Sequence, residues 1–436
     1  SENIQIIFPI QLNYHEIDKK DAEIKTLNEA SALWTRPAKD IKEEQYQEFF
    51  SHIGAGFGKP LLTMHNNTEG TISYTNLICI PSTRPFDLFN PDRKSSLKLY
   101  INRVFITDKC DALIPSYLRF IKGLVDTQDI DLNVSREMLQ NNPAVAKISK
   151  SLVGKILREL KKVSEKNADG YKSFWKEYGA VLKEGLYEDA ERKEALLDLC
   201  RFSTNENDDP ISLSEYVEKM PEKQKDIYYI SAETKDQALA SPHLEGFKSK
   251  KIPVLIMTDA IDQFWLPMVG SFKEKKFTSI TQGQINLDDL DEKNKDKKKD
   301  DKNEKEKKDK EYVDLVAQLK VVLGDQVKDI RLSSKLTDSP VCLVADEGDM
   351  DIAMEQLMAQ RDTNYKGAPR ILEINGDHSL IKNMKSLLSK KENNDLVSDA
   401  GTLLFEQARL MEGKMPADPA QFSKIMNQFL LKAIPN

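Results

Sequence analysis

The spacing of apolar side chains predicts a helical block in the middle of the chain. After Pro143, apolar residues recur every four positions, with lysines between them: Ile148, Leu152, Ile156 and Leu160. This spacing places them on one face of an amphipathic helix. Further helices are predicted over Glu43 to His52, Tyr171 to Leu182 and Ala190 to Phe202. We expect the block after Pro143 to link two α/β lobes.

Extended segments come before this block. Leu97 to Ile106 begins with apolar residues alternating against polar ones, the period of a strand with one solvated face. A polar turn, Asn66 to Gly70, leads into a predicted strand, Ile72 to Ile80, and the mostly apolar run Ile4 to Leu12 predicts an edge strand. A helix is predicted over Pro115 to Gly123. Together these segments indicate an α/β layer.

A compact βαβ unit is predicted after the helical block. It consists of strand Ile227 to Ser231, helix Lys235 to Lys248 and strand Pro253 to Met257. Such a unit predicts a parallel sheet with a right-handed crossover. Dinucleotide binding is one interpretation of a βαβ unit, but the loop Ser231 to Thr234 lacks the Gly-x-Gly-x-x-Gly motif and suits a capped helix. We therefore expect no cofactor site there.

The strongest change in composition lies near the last third of the chain. Asp291 to Glu311 contains only Lys, Asp, Glu and Asn, so it cannot bury a core and predicts a flexible or loosely helical linker. A helix, Val313 to Leu323, follows it. Strands and two closing amphipathic helices are then predicted: Val327 to Ser333, Pro340 to Ala345, Ile371 to Ile374, Leu396 to Glu412 and Pro419 to Ala433.

These elements predict a multidomain α/β protein. Residues 1–140 form a large α/β lobe, and residues 141–284 form the helical block with a small βαβ lobe. Residues 285–312 form the charged flexible linker, and residues 313–436 form an α+β C-terminal domain. A chain of 436 residues is long enough for several such cores.

Composition narrows the functional classes. The net charge of −7 argues against a general nucleic-acid binder. The four cysteines form no Cys-x-x-Cys pair and the five histidines lack ligand spacing, so no metal site is predicted and a reducing compartment is favoured. Neither a membrane-spanning apolar stretch nor a signal peptide is recognisable, so we expect a cytoplasmic protein. The chain starts at Ser1 without a methionine, and we expect it to be cut from a longer protein.

One short segment carries candidate chemistry. Helical spacing from Ser135 onward places Arg136 and Gln140 on one face, four residues apart. Asn133 or Ser135 can cap that helix, which leaves Arg136 in its first turn. An arginine there offers a planar set of donors to a phosphate. From the residues alone, a surface arginine paired with Glu137 or another nearby acid is the alternative.

Three long segments resemble one protein family, in the same order: Leu97 to Ile106, Leu113 to Phe120, and Asn133 to Gln140. Shorter matches accompany them: Ala32 to Arg36, Ile80 to Ser82, Lys183 to Gly185 and Ile227 to Tyr229. These segments resemble the middle domain of the 90-kDa heat-shock chaperones, most closely the bacterial type. The resemblance continues to the C-terminus and so covers nearly the whole chain.

The resemblance implies a catalytic role for the segment around Arg136. In the family, the residue that matches Arg136 reaches the terminal phosphate of ATP bound, with Mg²⁺, to a separate N-terminal domain, and Gln140 and Asn133 match its neighbours in that loop. We find no phosphate-binding loop or kinase motif in the chain, and we expect it to be inactive as an ATPase by itself. Trp34 and Phe105 are candidates for coupling domain closure to the middle domain, or plain core residues.

Two candidate surfaces for unfolded client proteins are also implied. The first is a helix with apolar residues at i, i+4, i+7 and i+8: Met350, Met354, Leu357 and Met358. Methionine suits a surface that accepts many apolar partners, although an ordinary core face is the alternative. The second is Phe264 and Trp265, which lie where relatives have an exposed aromatic side chain.

The two closing helices have apolar faces that imply a partner. Their candidate interface residues are Leu403, Leu404, Ala408, Met411, Phe422, Ile425, Met426 and Phe429. In the family these helices form a four-helix interface between two copies of the chain. The resemblance therefore implies a homodimeric, ATP-driven folding chaperone. The alternatives are an ATP-independent holdase and a scaffold that only dimerises.

Overall fold

The structure is a computed structural model, and it describes residues 11–14, 23–26, 32–53, 59–90, 96–132, 136–207, 209–287, 307–362, 365, 367–389 and 393–434. The chain divides into two compact units, Ser1–Cys200 and Arg201–Asn436. Both units combine helices with mixed sheets, as the multidomain α/β prediction requires. Within the described ranges, we find no helix that is both long and apolar enough to cross a membrane.

The first unit is built on a five-stranded sheet. After a separate two-stranded pair, β1 (Gln11–Tyr14) and β2 (Glu23–Thr26), its strands are β3 (Leu62–Thr68), β4 (Tyr74–Ile80), β5 (Ser96–Ile101), β6 (Val104–Thr107) and β7 (Lys122–Thr127). The spatial order is β3-β4-β7-β5-β6, and only the β5–β7 pairing is parallel. Strand β7 is therefore central.

Helices pack around this sheet in the order α1 (Glu43–His52), α2 (Arg136–Gln140), α3 (Pro143–Lys166), α4 (Ala168–Glu188) and α5 (Lys193–Leu199). Asn142 caps α3, because its side-chain oxygen accepts a hydrogen bond from the Ala144 N–H at 2.8 Å. Stacking of Phe120 on Tyr178, with ring centroids 4.6 Å apart, connects the end of the sheet to α4.

Three predictions in this unit are wrong in their element type or extent. Leu97 to Ile106 is not one strand, because Asn102 and Arg103 have φ values of 50° and 66° and turn the chain into a β5–β6 hairpin. The predicted helix Pro115 to Gly123 is a 3₁₀ turn, Ser116–Leu118, followed by β7. The observed turn also starts later than the predicted turn Asn66 to Gly70, because Asn66 to Thr68 belong to β3. Of the predicted edge strand, Ile4 to Ile10 lie outside the described residues.

Gly123 explains why β7 can occupy the centre of the sheet. It pairs with Ile78 of β4 at a φ of +133°, and a Cβ atom at this position would lie 2.2 Å from the Leu77 carbonyl oxygen. That contact is with backbone, which cannot rotate away as a side chain can. The close approach of β4 and β7 therefore requires glycine.

We expect Gly123→Ala to destabilise the first unit by about 3 kcal/mol or more, because the added methyl group must displace the β4 backbone. The matched control is Gly154→Ala in α3, where a Cβ atom meets nothing within 4 Å and helix propensity predicts a gain of up to about 1 kcal/mol. Denaturant unfolding followed by circular dichroism compares the two. Equal midpoints would contradict the role of Gly123.

The second unit contains a six-stranded sheet with the order β12-β13-β10-β11-β8-β9. Its strands are β8 (Arg201–Thr204), β9 (Ile211–Ser212), β10 (Ile227–Ser231), β11 (Leu255–Met257), β12 (Ser271–Phe272) and β13 (Lys275–Ser279). Its helices are α6 (Leu213–Glu218), α7 (Lys235–Leu239), α8 (Glu245–Ser249) and α9 (Asp262–Val269).

The predicted βαβ unit is present, since β10 and β11 pair in parallel. Its crossover is divided, however, because Pro242 starts a 3₁₀ turn, Pro242–Leu244, between α7 and α8. The helix predicted over Ala190 to Phe202 ends at Leu199, and Phe202 lies in β8. The predicted linker, 285–312, is too long at both ends, because Ile285, Leu287 and Tyr312 are buried in core clusters. Residues 307–311 are helical, and residues 288–306 lie outside the described residues.

The rest of the second unit packs helices against a three-stranded sheet with the order β14-β16-β15. The elements are α10 (Val313–Leu323), β14 (Val327–Leu332), β15 (Val341–Val344), α11 (Ile352–Arg361), β16 (Arg370–Ile374), α12 (Ser379–Leu388), α13 (Asn394–Met411) and α14 (Pro419–Ala433). One buried cluster joins the sheet to α10 and α13: Leu319, Ile330, Leu372, Val397 and Leu404. The predicted strands and terminal helices are confirmed to within a few residues.

Candidate functional sites

The predicted catalytic segment forms a short helix. Helix α2 starts at Arg136 and ends at Gln140. Leu139 is buried and holds this helix to the first unit, while Gln140 is exposed. Asn133 and Ser135 lie outside the described residues, as does the side chain of Arg136. The helical spacing of Arg136 and Gln140 is thus present in the backbone, and the direction of the guanidinium group stays a prediction.

The segment that leads to this helix is fixed at the end of the central strand β7. The Thr127 hydroxyl donates to the Ser73 carbonyl oxygen at 2.8 Å, and the Ser73 N–H donates to the Asp129 carboxylate at 2.5 Å. The Thr127 hydroxyl oxygen also accepts from the Asp129 N–H at 3.2 Å. These bonds attach both sides of the turn after β7 to the sheet, so the chain leaves it in a defined direction.

Gln140 lines a surface cleft of about 410 Å³ together with charged residues from α3 and the turn before α5. Arg192 lies 2.8 Å from an Asp189 carboxylate oxygen, and Lys150 pairs with Glu191. Burial, followed by the hydrogen bond to Asp189, raises the pKa of the Tyr117 hydroxyl. Among the described residues, both cations that line the cleft, Lys150 and Arg192, have carboxylate partners.

The two predicted coupling residues are connected through a third aromatic ring. Trp34 packs on Tyr100 with ring centroids 4.8 Å apart, and Tyr100 meets Phe105 edge-on at 5.6 Å. Trp34 is buried, and its indole N–H donates to Asp126 of β7 at 2.8 Å. Burial and the Asp126 charge raise the pKa of Tyr100. The sequence analysis did not identify Tyr100 as part of this group, because it occupies a position on β5 that is typical of any half-solvated strand residue.

Trp265 is a core residue, which corrects its assignment to a client-binding surface. Its side chain is fully buried, and its indole N–H donates to the buried Asp262 carboxylate at 2.7 Å. Its ring meets Phe277 edge-on at 5.5 Å. The neighbouring Phe264 is half-buried and is the remaining aromatic candidate at this position.

The predicted methionine surface lies mainly on α11. Met354, Leu357 and Met358 are half-buried on this helix, and none of them belongs to a buried core cluster. Met350 lies two residues before the helix starts and is 40% exposed, which corrects its placement on the helix. The side chains that α11 buries are Ile352 and Glu355, and Glu355 pairs with Arg370. The apolar residues at helical spacing on α11 are thus partly accessible.

The predicted dimer-interface residues divide into two groups. Leu404, Ala408 and Ile425 are buried within the second unit, and Phe429 packs against the same core. This corrects their assignment to a surface shared with another copy, because their own subunit already covers them. Leu403 and Phe422 are half-buried, whereas Met411 and Met426 are 50% and 40% exposed.

The terminal helices and the residues beside them carry further exposed apolar side chains that the sequence prediction missed. They are Leu410, Met415, Leu430, Leu431 and Ile434, with exposed fractions from 44% to 76%. A helix that is apolar on two sides buries one side in its own core and leaves the other for a partner. The sequence contains a signal for these outward side chains. Phe429, Leu430 and Leu431 are three consecutive apolar residues, which are too many for one face of an amphipathic helix.

Comparison with known proteins gives consistent matches. The model of the Hsp90 protein family matches residues 11–435. The chaperone protein HtpG of Roseobacter denitrificans is 44% identical over 431 residues, which cover 98% of this chain and 67% of that protein. HtpG of Paramagnetospirillum magneticum is 45% identical over 414 residues, which cover 95% of this chain and 66% of that protein. HtpG of Wolbachia pipientis is 40% identical over 442 residues, which cover 99% of this chain and 68% of that protein.

The chain spans about two thirds of the length of these relatives. The chain belongs to the Hsp90 family of chaperones.

Proposed function

We propose that this chain is the client-binding and ATPase-activating part of an ATP-driven folding chaperone. Arg136 would contact the terminal phosphate of ATP held, with Mg²⁺, by a separate N-terminal domain, and Gln140 and Asn133 would hold the loop. The observation that carries this proposal is α2, a helix that starts at Arg136, follows the central strand β7 (which ends at Thr127) in the chain, and is anchored by the buried Leu139.

The chemistry asked of Arg136 is electrostatic. Phosphoryl transfer spreads negative charge over the transferred group, and a guanidinium group stabilises that charge with two parallel hydrogen bonds. The protein's task is to hold the arginine in place when the domains close. The bonds of Thr127 and Asp129 to Ser73 support such positioning, and the contact of Trp34 with Asp126 links the same strand to the Trp34–Tyr100–Phe105 rings.

Client proteins would bind through accessible apolar side chains in the second unit. Met354, Leu357 and Met358 supply flexible apolar area on α11, and Phe264 adds an aromatic ring on α9. Unfolded polypeptides expose apolar groups in no fixed arrangement, and methionine adapts to such partners better than branched side chains do.

We expect Met354→Ser combined with Met358→Ser to weaken binding of a reduced and alkylated, permanently unfolded protein by roughly three- to tenfold, as lost apolar contacts worth about 1 kcal/mol would. The matched control is Val321→Ser, at a residue of α10 that is 80% exposed. Fluorescence anisotropy of the labelled client measures the affinity. Unchanged binding by the double variant would return these methionines to a structural role.

The exposed apolar side chains Leu410, Met415, Leu430, Leu431 and Ile434, together with the predicted interface residue Met411, support a homodimer through the terminal helices. A contact between these side chains of two copies would be isologous, with the same patch on both sides.

An ATP-independent holdase is the second candidate, because the accessible residues of α11 do not depend on Arg136. The two functions are separated by Arg136→Ala in the protein that includes the nucleotide-binding domain. Loss of ATP turnover and of ATP-dependent refolding, with client binding retained, supports the ATP-driven chaperone. Retention of refolding without ATP turnover supports the holdase.

A further inference from the structure

Helix α11, which carries the methionines proposed to bind clients, is held in the second unit mainly by polar contacts. Of its ten residues only Ile352 and Glu355 are buried. Glu355 pairs with Arg370, and the Gln356 side-chain amide donates to the Glu412 carbonyl oxygen at 2.6 Å. A helix of this length is marginal in water and depends on tertiary contacts. With one buried apolar side chain, α11 depends on hydrogen bonds and ion pairs for its position.

The start of α11 is fixed by Asp351, the residue directly before the helix. One carboxylate oxygen of Asp351 accepts a hydrogen bond from the Ala353 N–H at 2.9 Å and so caps the helix. The other oxygen accepts from the Ser279 hydroxyl at 2.5 Å and from the Thr281 hydroxyl at 2.9 Å. Because Ser279 and Thr281 are only 4% and 6% exposed, this carboxylate attaches the start of α11 to the interior of the unit.

The loop between β15 and α11 is bonded to the segment that follows β13. The Ala345 N–H donates to the Thr281 carbonyl oxygen at 2.9 Å, at the beginning of the loop. The Gln282 side-chain amide donates to the Asp349 carbonyl oxygen at 2.7 Å, near its end. These bonds limit the positions that the start of α11 can take, and they support the attachment made by Asp351.

Strand β13 also contacts α9, the helix that carries the other residue proposed to bind clients. Phe277 of β13 meets the ring of Trp265 edge-on at 5.5 Å, and Trp265 is the buried neighbour of Phe264 in α9. Phe277 and Ser279 are two residues apart on the strand, so their side chains lie on the same face. Both helices are therefore attached to one short strand.

We propose that Asp351 is a positioning residue for client binding, an inference that rests on the proposed client-binding function of α9 and α11. The Asp351 carboxylate holds the start of α11 against β13 and so fixes the backbone that carries Met354 and Met358, whose side chains remain adaptable. A surface with a fixed backbone loses less conformational entropy when a client binds, and it therefore binds more tightly.

Ser279→Ala combined with Thr281→Val removes both hydroxyl donors at buried positions that a client does not reach. Hydrogen exchange followed by mass spectrometry should show α11 amides exchanging at least about tenfold faster, the effect of one to two lost hydrogen bonds. Fluorescence anisotropy with labelled, reduced and carboxymethylated α-lactalbumin should show about three- to tenfold weaker binding. The matched control is Ser333→Ala, which removes a hydroxyl that donates to Glu373 at 2.9 Å in the same unit and should change neither measurement.

Asp351→Ser separates capping of α11 from its attachment to β13. Serine caps helices as well as aspartate does, but its side chain is shorter and has one oxygen in place of two, so it does not serve the Ala353 N–H and both hydroxyls together. This variant should weaken client binding as the double variant does. It decides the proposal even if circular dichroism shows that the double variant fails to fold.

The outcomes distinguish the positioning role from the client-binding function. Unchanged exchange of the α11 amides would show that Asp351 does not hold the helix, and faster exchange with unchanged client binding would show that clients do not need a fixed helix. Either result overturns the proposal. Unchanged binding by Met354→Ser combined with Met358→Ser would instead overturn the client-binding function of α11 itself, and the positioning role with it.

Discussion

Arg136→Ala should lower ATP turnover by about tenfold or more when it is introduced into the protein that includes the nucleotide-binding domain. Arginines supplied to phosphoryl-transfer sites are worth about 10³ to 10⁵ in rate. A smaller factor is expected here, because domain closure rather than chemistry is expected to limit turnover. Steady-state hydrolysis at saturating ATP measures the effect.

Two controls separate catalysis from folding. Arg158→Ala removes an exposed arginine of α3, in the same unit, and should leave turnover unchanged. Arg136→Lys keeps the charge but loses the planar pair of donors, and it should recover only part of the rate. Because the residues of α2 that face the core, such as Leu139, are untouched, thermal unfolding of Arg136→Ala should match the wild type.

Leu430→Asp combined with Leu431→Asp should convert the proposed dimer into monomers at micromolar concentration. Both leucines are exposed on α14, by 51% and 76%, and do not contribute to the core. In an isologous contact each substitution occurs on both sides. Buried carboxylates without partners cost several kcal/mol, so the dissociation constant should rise by at least about a thousandfold, which corresponds to roughly 4 kcal/mol.

Light scattering coupled to size-exclusion chromatography measures the mass of the species. Val321→Asp combined with Leu380→Asp makes the same kind of change at exposed apolar residues of α10 and α12 and should leave the dimer intact. A dimer that persists in the Leu430 and Leu431 double variant would place the interface elsewhere.

The elements that were predicted well from the sequence are those in which the apolar residues recur at one clear spacing. Helix α3 has a four-residue apolar repeat and a proline at its start, and the observed helix starts at the predicted residue, Pro143. The parallel βαβ unit followed from two short apolar strands flanking a helical segment. In both cases the local pattern and the tertiary environment favour the same structure.

The main error in the first unit arose where the period is ambiguous. Ile114 to Val125 is a nearly continuous apolar run, and five of the six residues of β7 are buried. A strand buried on both faces shows no alternation, so periodicity does not distinguish it from a buried helix. The pairing of Gly123 with Ile78 decides the outcome through a contact between distant segments, which no local pattern encodes.

The candidate sites show a related limit. Sequence alone identified the adjacent aromatics Phe264 and Trp265 but not which of them is buried, because that depends on Asp262 accepting the indole N–H. It likewise identified an apolar face on α14 but not that Ile425 packs inward while Leu430 and Leu431 face outward. The location of Arg136 at the start of a helix was predictable from capping and spacing, whereas the contact with ATP depends on another domain.

The most direct test of the central claim is ATP hydrolysis by a separately made nucleotide-binding domain of the family, alone and mixed with this chain. We predict no turnover by this chain alone, and on mixing a rate above that of the added domain, which Arg136→Ala abolishes and Arg158→Ala preserves. An equal rise with Arg136→Ala, or turnover by this chain alone, would contradict the donation of Arg136 to a nucleotide bound elsewhere.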